Sequence, residues 1–449
     1  FKIDRYEDAI PMVYEAYKTA VSGEPGPVFI EVPANLQLLT GEVESMPEAD
    51  ITIERPPLDE QQIRDAAAML SGAEKPGLFV GWGAKDVTDD LVRIAEYLGA
   101  PVATTLQGLG VFPGDHPLHA GFTFGPSAVP SSRNAFEDCD VMLAVGTRFA
   151  EICTGSYGAV PPEKLIHIDI NPDAIGANHE TPIGICADSR DAVPALADAL
   201  LADSEARGGQ AIKAKIAKDK AAYRDEWLEH DSKGRVNPCR FFTELRSQLA
   251  DDAIIISDDG NHTFLTAELM PIHRGGQFLS PTDFNCMGYC VPATIAVKMA
   301  LPERQAVGIV GDGAFLMTGL ESVTAAANDI GAVWFVFNDG ELAQIAQAQE
   351  MPYQRTACTN VGKLNHEAFA AATGVEYVEI RTDADLAEGV SGALQKSAEG
   401  RPVLVNVHVD YSKKTQFTVG TVQTNLKRFD TKNKLRIVGR ALKRKFFGA

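Results

Sequence analysis

Several features that would assign this protein to a specialised class are missing from its sequence. No apolar run approaches the roughly 18 residues that a membrane-spanning helix needs. Basic residues are outnumbered, with 41 Lys and Arg against 61 Asp and Glu, which gives a net charge of −20. A chain this acidic is poorly suited to bind nucleic acid, so we exclude nucleic acid as its main partner.

Cysteine is also scarce and scattered. The seven cysteines are odd in number and include no Cys-x-x-Cys pair, and Cys286 and Cys290 have no His or Cys nearby to complete a metal site. Neither a disulfide framework nor a zinc site is therefore indicated. We predict buried, reduced thiols in a cytoplasmic protein.

The length and composition are those of a globular protein of about three domains. At the usual ~150 residues per domain, 449 residues leave room for three. Gly and Pro cluster at 23–27, and an acidic stretch with Pro follows at 41–57. These breaks predict a short N-terminal piece (1–40), two larger units (58–202 and 236–411), a connecting helix between them (203–235) and a basic tail (412–449).

The sequence predicts that the N-terminal piece is the end of a domain. Apolar residues at helical spacing predict a helix over 5–22, and a β-branched run predicts a strand over 28–32. Neither element has an earlier partner in the chain, and Phe1 is not a starting Met. We therefore expect further residues to precede Phe1 in the natural gene product.

Both larger units alternate between strand and helix patterns, which predicts the α/β class with successive doubly wound parallel sheets. The predicted strands cover 77–81, 140–145 and 165–169 in the first unit, and 253–257, 306–310, 332–337 and 403–409 in the second. Sheets of this kind bind ligands at the carboxyl ends of their strands.

Two of these strand ends carry acidic residues. The strand over 306–310 runs into a Gly-Asp-Gly turn centred on Asp312, and a helix is predicted over 315–328. The strand over 332–337 ends in Asn-Asp, with its acid at Asp339. Paired carboxylates suit a hard divalent cation such as Mg²⁺, and a helix N-terminus next to glycines suits a phosphate. Taken alone, a Gly-Asp-Gly turn is more often a structural feature.

The spacing between the two elements points to a family. Gly-Asp-Gly, 24 further residues and then Asn-Asp resemble the signature of thiamine-diphosphate-dependent enzymes, where Asn-Asn is usual. The resemblance implies that Mg²⁺ is held by Asp312, by Asp339 and by the backbone carbonyl of Glu341. Asp339 departs from the pattern and adds a negative charge that faces the diphosphate.

The resemblance covers nearly the whole chain and is to the acetolactate synthase type. In the first larger unit it rests on the runs at 105–113, 145–149 and 167–172. It implies that the N-terminal piece is the end of a pyrimidine-binding domain, most of which is absent here. The first unit would be a Rossmann-like central domain and the second the diphosphate-binding domain.

Two further motifs imply cofactor contacts. Residues 259–262 resemble a Gly-Gln-His element that contacts the diphosphate. In the run 285–292, Met287 matches a methionine that holds the cofactor in a V shape. A methionine that only packs in the core would give the same pattern. The resemblance also implies that the carbonyl of Asn285 accepts a hydrogen bond from the cofactor's amino group. The implied contacts are Asn261, His262, Asn285, Met287, Gly311, Gly313, Ala314 and Leu342.

The implied reaction is decarboxylation of a 2-keto acid followed by transfer to an acceptor carbonyl, with the cofactor as nucleophile. The glutamate that activates the cofactor in this family has no match here, and we expect it upstream of Phe1. In this family the cofactor lies between two subunits. We therefore expect a homodimer or homotetramer, and we expect these residues alone to be inactive.

Departures from the family pattern leave alternatives open. The run 148–152 lacks the second Arg of a run associated with flavin binding, which argues against FAD without removing it as a candidate. Gln344 and Gln347 make the substrate side more polar and indicate a different donor or acceptor. A 2-keto acid decarboxylase, an FAD-dependent oxidase and a non-catalytic subunit stay open, and we interpret the basic tail as a packing helix rather than a membrane contact.

Overall fold

The computed structural model describes residues 1–49, 51–53, 55–202 and 206–447. The N-terminal piece contains two helices, α1 (Ala9–Val21) and α2 (Ala34–Leu38), and a 3₁₀ turn at Tyr6–Asp8. The predicted strand over 28–32 is wrong: only Glu31 is paired, in an isolated parallel bridge to Lys2. Phe29 in this run is 75% exposed, so the described residues offer the run no neighbouring strand and no apolar cover.

The first larger unit is built on a six-stranded, all-parallel sheet. Its strands are β1 (Pro76–Val80), β2 (Val102–Thr104), β3 (His119–Phe122), β4 (Val141–Val145), β5 (Lys164–Asp169) and β6 (Ile183–Cys186), in the order β3-β2-β1-β4-β5-β6. Its helices are α3 (Glu60–Ser71), α4 (Thr88–Leu98), α5 (Pro130–Ala135) and α6 (Ser189–Leu201), with 3₁₀ turns at Trp82–Ala84 and Gly125–Ser127.

The second larger unit repeats this architecture after the connecting helix α7 (Gln210–Leu228). Its strands are β7 (Ile254–Ser257), β8 (Phe278–Leu279), β9 (Ala306–Gly311), β10 (Val333–Phe337), β11 (Glu376–Ile380) and β12 (Val403–Val407), all parallel, in the order β11-β12-β10-β9-β7-β8. Its helices are α8 (Pro238–Gln248), α9 (Asn261–Leu269), α10 (Cys290–Ala300), α11 (Asp312–Thr318), α12 (Ser322–Ala327), α13 (Ala343–Tyr353), α14 (His366–Thr373) and α15 (Leu386–Ala398), with 3₁₀ turns at Gly319–Glu321 and Asp383–Asp385.

Each sheet has an apolar core on both of its faces. Leu78 and Val80 on β1 belong to one core, whereas Phe79 between them belongs to another. On β10, Trp334 and Phe335 divide between two cores in the same way. Successive side chains of a strand point to opposite faces, so the continuous apolar runs in the sequence reflect burial on both sides. The predicted α/β fold of doubly wound parallel sheets is confirmed.

Two predictions from the sequence differ from the structure. The helix predicted over 315–328 starts earlier, at Asp312, and the 3₁₀ turn at Gly319–Glu321 splits it into α11 and α12. The prediction that all seven cysteines are buried is wrong as well: each is a free thiol, but Cys286 and Cys358 are exposed. Both lie in loops, where no hydrophobic periodicity reports the burial of a side chain.

The C-terminal tail packs against both units. The tail forms α16 (Gln416–Arg428) and α17 (Thr431–Phe447). On α16, Asn425 Nδ2 donates to Ser156 Oγ over 3.2 Å in the first unit. On α17, Arg444 Nη1 donates to the carbonyl of Tyr353 over 2.7 Å in the second. Throughout the described ranges, no helix combines the length and the apolar character that crossing a membrane demands.

A half-buried glutamate joins three helices at the junction of the tail, the connecting helix and the second unit. Glu268 on α9 accepts a hydrogen bond from the Tyr223 hydroxyl of α7. It also accepts from the backbone N–H groups of Gln416, over 3.2 Å, and Phe417, over 2.8 Å, at the start of α16. Burial raises the pKa of Glu268 to about 7, although these hydrogen bonds oppose the shift.

This raised pKa predicts a pH-dependent loss of stability. Because the folded chain holds the Glu268 proton more tightly than the unfolded chain, the contribution is complete below about pH 4.5 and is lost as the pH rises to about 7. The shift corresponds to about 3 kcal/mol, at 1.36 kcal/mol per pKa unit. Glu268→Gln, which mimics the protonated form, should lose less unfolding free energy between pH 5 and pH 8 in urea titrations. An equal loss in wild type, Glu268→Gln and the exposed control Glu229→Gln would contradict this.

Candidate functional site

The candidate site lies where β9 and β10 end. These strands are parallel neighbours, and Gly311 at the end of β9 faces Phe337 at the end of β10. Asp312 follows Gly311 directly and Asp339 lies two residues after Phe337, so the strand register brings the two acids to one edge, as the sequence predicted. The Asp312 carboxylate accepts hydrogen bonds from the N–H groups of Gly313 and Gly340, each over 2.7 Å, which ties the two loops together.

The loop after β10 is held in place from its other side. Gly340 has φ +79°, a conformation that a residue with a side chain rarely adopts. Its carbonyl accepts from the N–H of Val361 over 3.0 Å, and the N–H of Leu342 donates to the carbonyl of Thr359 over 2.7 Å. Both turns therefore have a fixed backbone before any ligand binds.

A cavity of about 110 Å³ opens at this edge. It brings together every residue predicted to bind cofactor or metal except Asn285. The lining includes Asn261, His262, Met287, Gly311, Asp312, Gly313, Ala314, Asp339, Glu341 and Leu342. Asn285 is exposed, with φ +56°, and its N–H donates to the carbonyl of Pro281 over 3.0 Å. The role of its carbonyl stays a prediction.

The two acids occupy an electrostatically unfavourable position. Burial, and then the neighbouring Asp312, raise the pKa of Asp339 to about 7. Burial likewise raises the pKa of Asp312, and that of Asp259 on the cavity wall to about 6. A divalent cation would relieve this repulsion, and it would also let a diphosphate enter a cavity lined by carboxylates. The residues present therefore fit Mg²⁺ and a diphosphate.

The fit to a metal depends on mixed ligands. In the part of the chain that the structure describes, no three His, Cys, Asp or Glu residues are grouped as a metal site. The predicted set instead combines the carboxylates of Asp312 and Asp339 with the backbone carbonyl of Glu341. Mg²⁺ commonly takes one or two carboxylates and completes its shell with water and phosphate oxygens.

Unpartnered polar atoms mark the ligand-binding wall. Asn261, at the start of α9, is buried with neither amide atom hydrogen-bonded, and Nε2 of the buried His262 has no partner among the described residues. Burial lowers the pKa of His262 to about 3, so its ring is neutral at physiological pH. Since buried polar groups almost always find partners, this wall is built to receive a polar ligand.

Met287 also lines the cavity. A Cβ atom added to Gly313 would lie 3.6 Å from the methyl carbon of Met287 and would collide with the side chain of Leu342. The glycine thus keeps open the space between these two apolar side chains.

The sequence reading missed Asp258, which positions this methionine. Asp258 is buried at the end of β7, and its carboxylate accepts from the N–H groups of Asp259 and Gly288, each over 2.9 Å, and of Cys290 over 2.7 Å. It therefore fixes the turn that carries Met287. Its place one residue before the recognised element at 259–262 was the available signal.

Tyr411 and Gln344 also line the cavity. The sequence predicts that Gln344 makes the substrate side of the cavity more polar. Tyr411 is not among the predicted site residues. The predicted strand over 403–409 runs past the true end of β12 at Val407. Tyr411 lies four residues beyond that end, in the loop at the same edge as Asp339, and the sequence carries no motif that marks it.

A second cleft, of about 400 Å³, adjoins the run 148–152 that resembles a flavin-associated motif. Its wall carries Glu24, Asp169 and Asp283 against a single cation, Arg148. Arg148 is already paired, at 3.9 Å from Glu24 and 3.5 Å from Asp283. An adjoining cleft shares Trp82, Gly83 and Gly146 with this one and adds the cations Arg55, Lys85 and Arg190. Whether FAD binds here therefore stays a prediction.

Comparison with known proteins agrees with this geometry. The family models described as "Thiamine pyrophosphate enzyme, central domain" and "Thiamine pyrophosphate enzyme, C-terminal TPP binding domain" match residues 63–196 and 258–407. The chain is 29% identical to the acetolactate synthase isozyme 1 large subunit of Escherichia coli, over 91% of this chain and 72% of the relative. It is 30% identical to the acetolactate synthase large subunit of Corynebacterium glutamicum, over 90% of this chain and 66% of that relative. It is also 30% identical to the probable acetolactate synthase large subunit of Methanocaldococcus jannaschii, over 91% of this chain and 71% of that relative.

The role of Asp258 gives a test of the site's framework. Asp258→Asn offers one acceptor oxygen to three N–H donors, and its own amide N–H would face one of them. We expect a loss of about 1–3 kcal/mol in the free energy of unfolding. Urea titration of this variant beside Asp252→Asn, an exposed acid near the start of β7, measures the difference. Equal stability of the two variants would show that the carboxylate does not hold this turn.

Proposed function

Since this chain belongs to the thiamine pyrophosphate enzymes of the acetolactate synthase type, we propose that it is a Mg²⁺-dependent carboligase acting on 2-keto acids. The observation that carries the proposal is the cavity in which Asp312 and Asp339 meet the unpartnered groups of Asn261 and His262. The chain spans about two thirds to seven tenths of its curated relatives, so the activity of the whole protein is part of the proposal.

The chain's own residues would bind and orient the cofactor. Asp312, Asp339 and the carbonyl of Glu341 would hold the cation, and the amide N–H group of Asn261 would donate to the diphosphate, with His262 beside it on the cavity wall. Bound thiamine diphosphate would supply the carbon nucleophile that attacks the keto carbonyl and accommodates the electrons left when CO₂ departs. Met287, on the cavity wall, would pack against the cofactor and hold it in place.

The outer part of the cavity bears on the choice of substrate. Gln344 lines it beside Ile345, which is 50% exposed. An amide there can hydrogen-bond a carbonyl or hydroxyl group of the acceptor. A polar wall therefore favours transfer to a second polar carbonyl compound over release of a simple aldehyde, and product analysis with a panel of 2-keto acids separates the two. We further propose that the enzyme works in the cytoplasm, which agrees with its free thiols.

Cofactor binding is the first test. Calorimetric titration of thiamine diphosphate with Mg²⁺ into the full-length wild-type protein should show micromolar or tighter binding, and none when Mg²⁺ is omitted. Asp312→Asn should abolish that binding, whereas Asp283→Asn, an acid of the second cleft, should leave it unchanged. Failure of the wild type to bind would refute the proposed function, and undiminished binding by Asp312→Asn would refute the metal assignment.

An exposed apolar surface supports the proposed oligomer. Leu316, Met317, Leu320 and Val323 lie on α11, α12 and the turn between them, and are 47%, 60%, 73% and 47% exposed. These elements lead directly away from Asp312. Grouped apolar side chains of this kind mark protein interfaces, and a second copy of the chain would cover them while lying next to the cofactor.

Leu320→Asp tests this interface. A carboxylate buried in an apolar contact would cost far more than the contact gains, so we expect the oligomer to shift to monomer. Light scattering coupled to gel filtration measures the mass, and Val160→Asp, which replaces an aliphatic side chain 71% exposed in the first unit, is the control. An unchanged mass for Leu320→Asp would place the interface elsewhere.

A further inference from the structure

Tyr411 occupies a distinctive position in the candidate site. It lies in the loop after β12, and the strands run in the order β12-β10-β9 across the sheet. Tyr411 therefore lines the cavity from the strand that neighbours the Asp339 strand. Its ring centroid lies 6.3 Å from that of Phe337 at the end of β10. The side chain is therefore next to the predicted metal ligands without being one of them.

The hydroxyl of Tyr411 is buried and has no hydrogen-bond partner among the described residues. Burial, and then the nearby charges of Asp339 and Asp312, raise the pKa of Tyr411 well above its usual value. The phenol is thus protonated at any physiological pH and is available as a donor. A buried hydroxyl without a partner is costly in the ligand-free protein, so its persistence in a ligand cavity points to a partner that arrives with the ligand.

The backbone around this tyrosine is held on both sides. Asp410 accepts from Ser412 Oγ over 3.0 Å and is hydrogen-bonded to His230 Nε2 over 2.9 Å, and its N–H donates to the carbonyl of Val236 over 3.0 Å. The carbonyl of Tyr411 accepts from Gln347 Nε2 over 2.8 Å. The side chain is therefore presented to the cavity by a fixed segment rather than by a loose loop.

We propose that the Tyr411 hydroxyl donates a hydrogen bond to the terminal phosphate of the metal-bound diphosphate, and so is a cofactor-binding residue that selects diphosphate over monophosphate. This inference rests on the proposed function. A group beside Asp312 and Asp339 would lie close to the terminal phosphate, because a cation held by these two residues would also bind that phosphate. A neutral donor there also adds attraction for the anion without adding to the charge of the metal site.

The test compares Tyr411→Phe with the wild type in calorimetric titrations. Thiamine diphosphate, inorganic pyrophosphate and thiamine monophosphate, each with Mg²⁺, serve as probes. We expect Tyr411→Phe to bind both diphosphates about tenfold more weakly, equivalent to about 1.4 kcal/mol, and thiamine monophosphate unchanged. Tyr157→Phe, at a ring 47% exposed in the first unit, controls for a lost phenol group.

Thermal unfolding of the ligand-free proteins gives a second readout. Because Tyr411→Phe removes an unpartnered hydroxyl, its melting temperature without ligand should equal or exceed that of the wild type. A lower melting temperature would indicate a structural hydrogen bond and overturn the inference.

Three binding outcomes separate this inference from the proposed function. Weaker diphosphate binding with unchanged monophosphate binding supports it. Wild-type affinity of Tyr411→Phe, with binding still abolished in Asp312→Asn, overturns the Tyr411 assignment and leaves the proposed function standing. Absence of cofactor binding in the wild type overturns both.

Discussion

The proximity of two carboxylates at one sheet edge is the constraint on which the rest of the site depends. Parallel pairing of β9 with β10 holds the buried Asp312 and the half-buried Asp339 close together, where water screens them only in part. Folding therefore stores an unfavourable interaction at the point where we propose that a cation binds. The glycines and the hydrogen bonds from Gly313 and Gly340 make that arrangement tolerable, because they fix one carboxylate while the other stays available.

A second consequence concerns how the cavity is assembled. Its walls come from the ends of β7, β9, β10 and β12, which are successive in the sheet but far apart in the chain. Small errors in any one strand would misplace a wall, so each loop has its own anchor. Asp258 anchors the methionine turn, Thr359 and Val361 anchor the loop after β10, and Asp410 anchors the segment after β12. The second sheet thus acts as a rigid base for loops that carry the chemistry.

The sequence predicted the part of this arrangement that depends on local order. Continuous apolar runs identified the central strands, and the residues directly after them, such as Asp312 and Asp339, could be placed at one edge. What it missed depends on tertiary contacts: the two-residue β8, the half-buried β11, the early start of α11 at Asp312, and Tyr411, whose distance from the strand end depends on where pairing stops. The strand expected over 28–32 failed for a related reason, because a β-branched run makes a strand only beside another strand.

Asp in place of Asn at position 339 has a physical cost and a compensation. With two carboxylates, the proposed site would bind a cation more strongly, but a divalent ion would then be fully neutralised before the diphosphate arrived. The ligand would have to be held by groups that attract anions without adding charge. The amide N–H group of Asn261 and the phenol of Tyr411 are such groups, and both are buried without a hydrogen-bond partner among the described residues. In the proposed function, a more acidic metal site and neutral donors in the same cavity are therefore two parts of one solution to the same electrostatic problem.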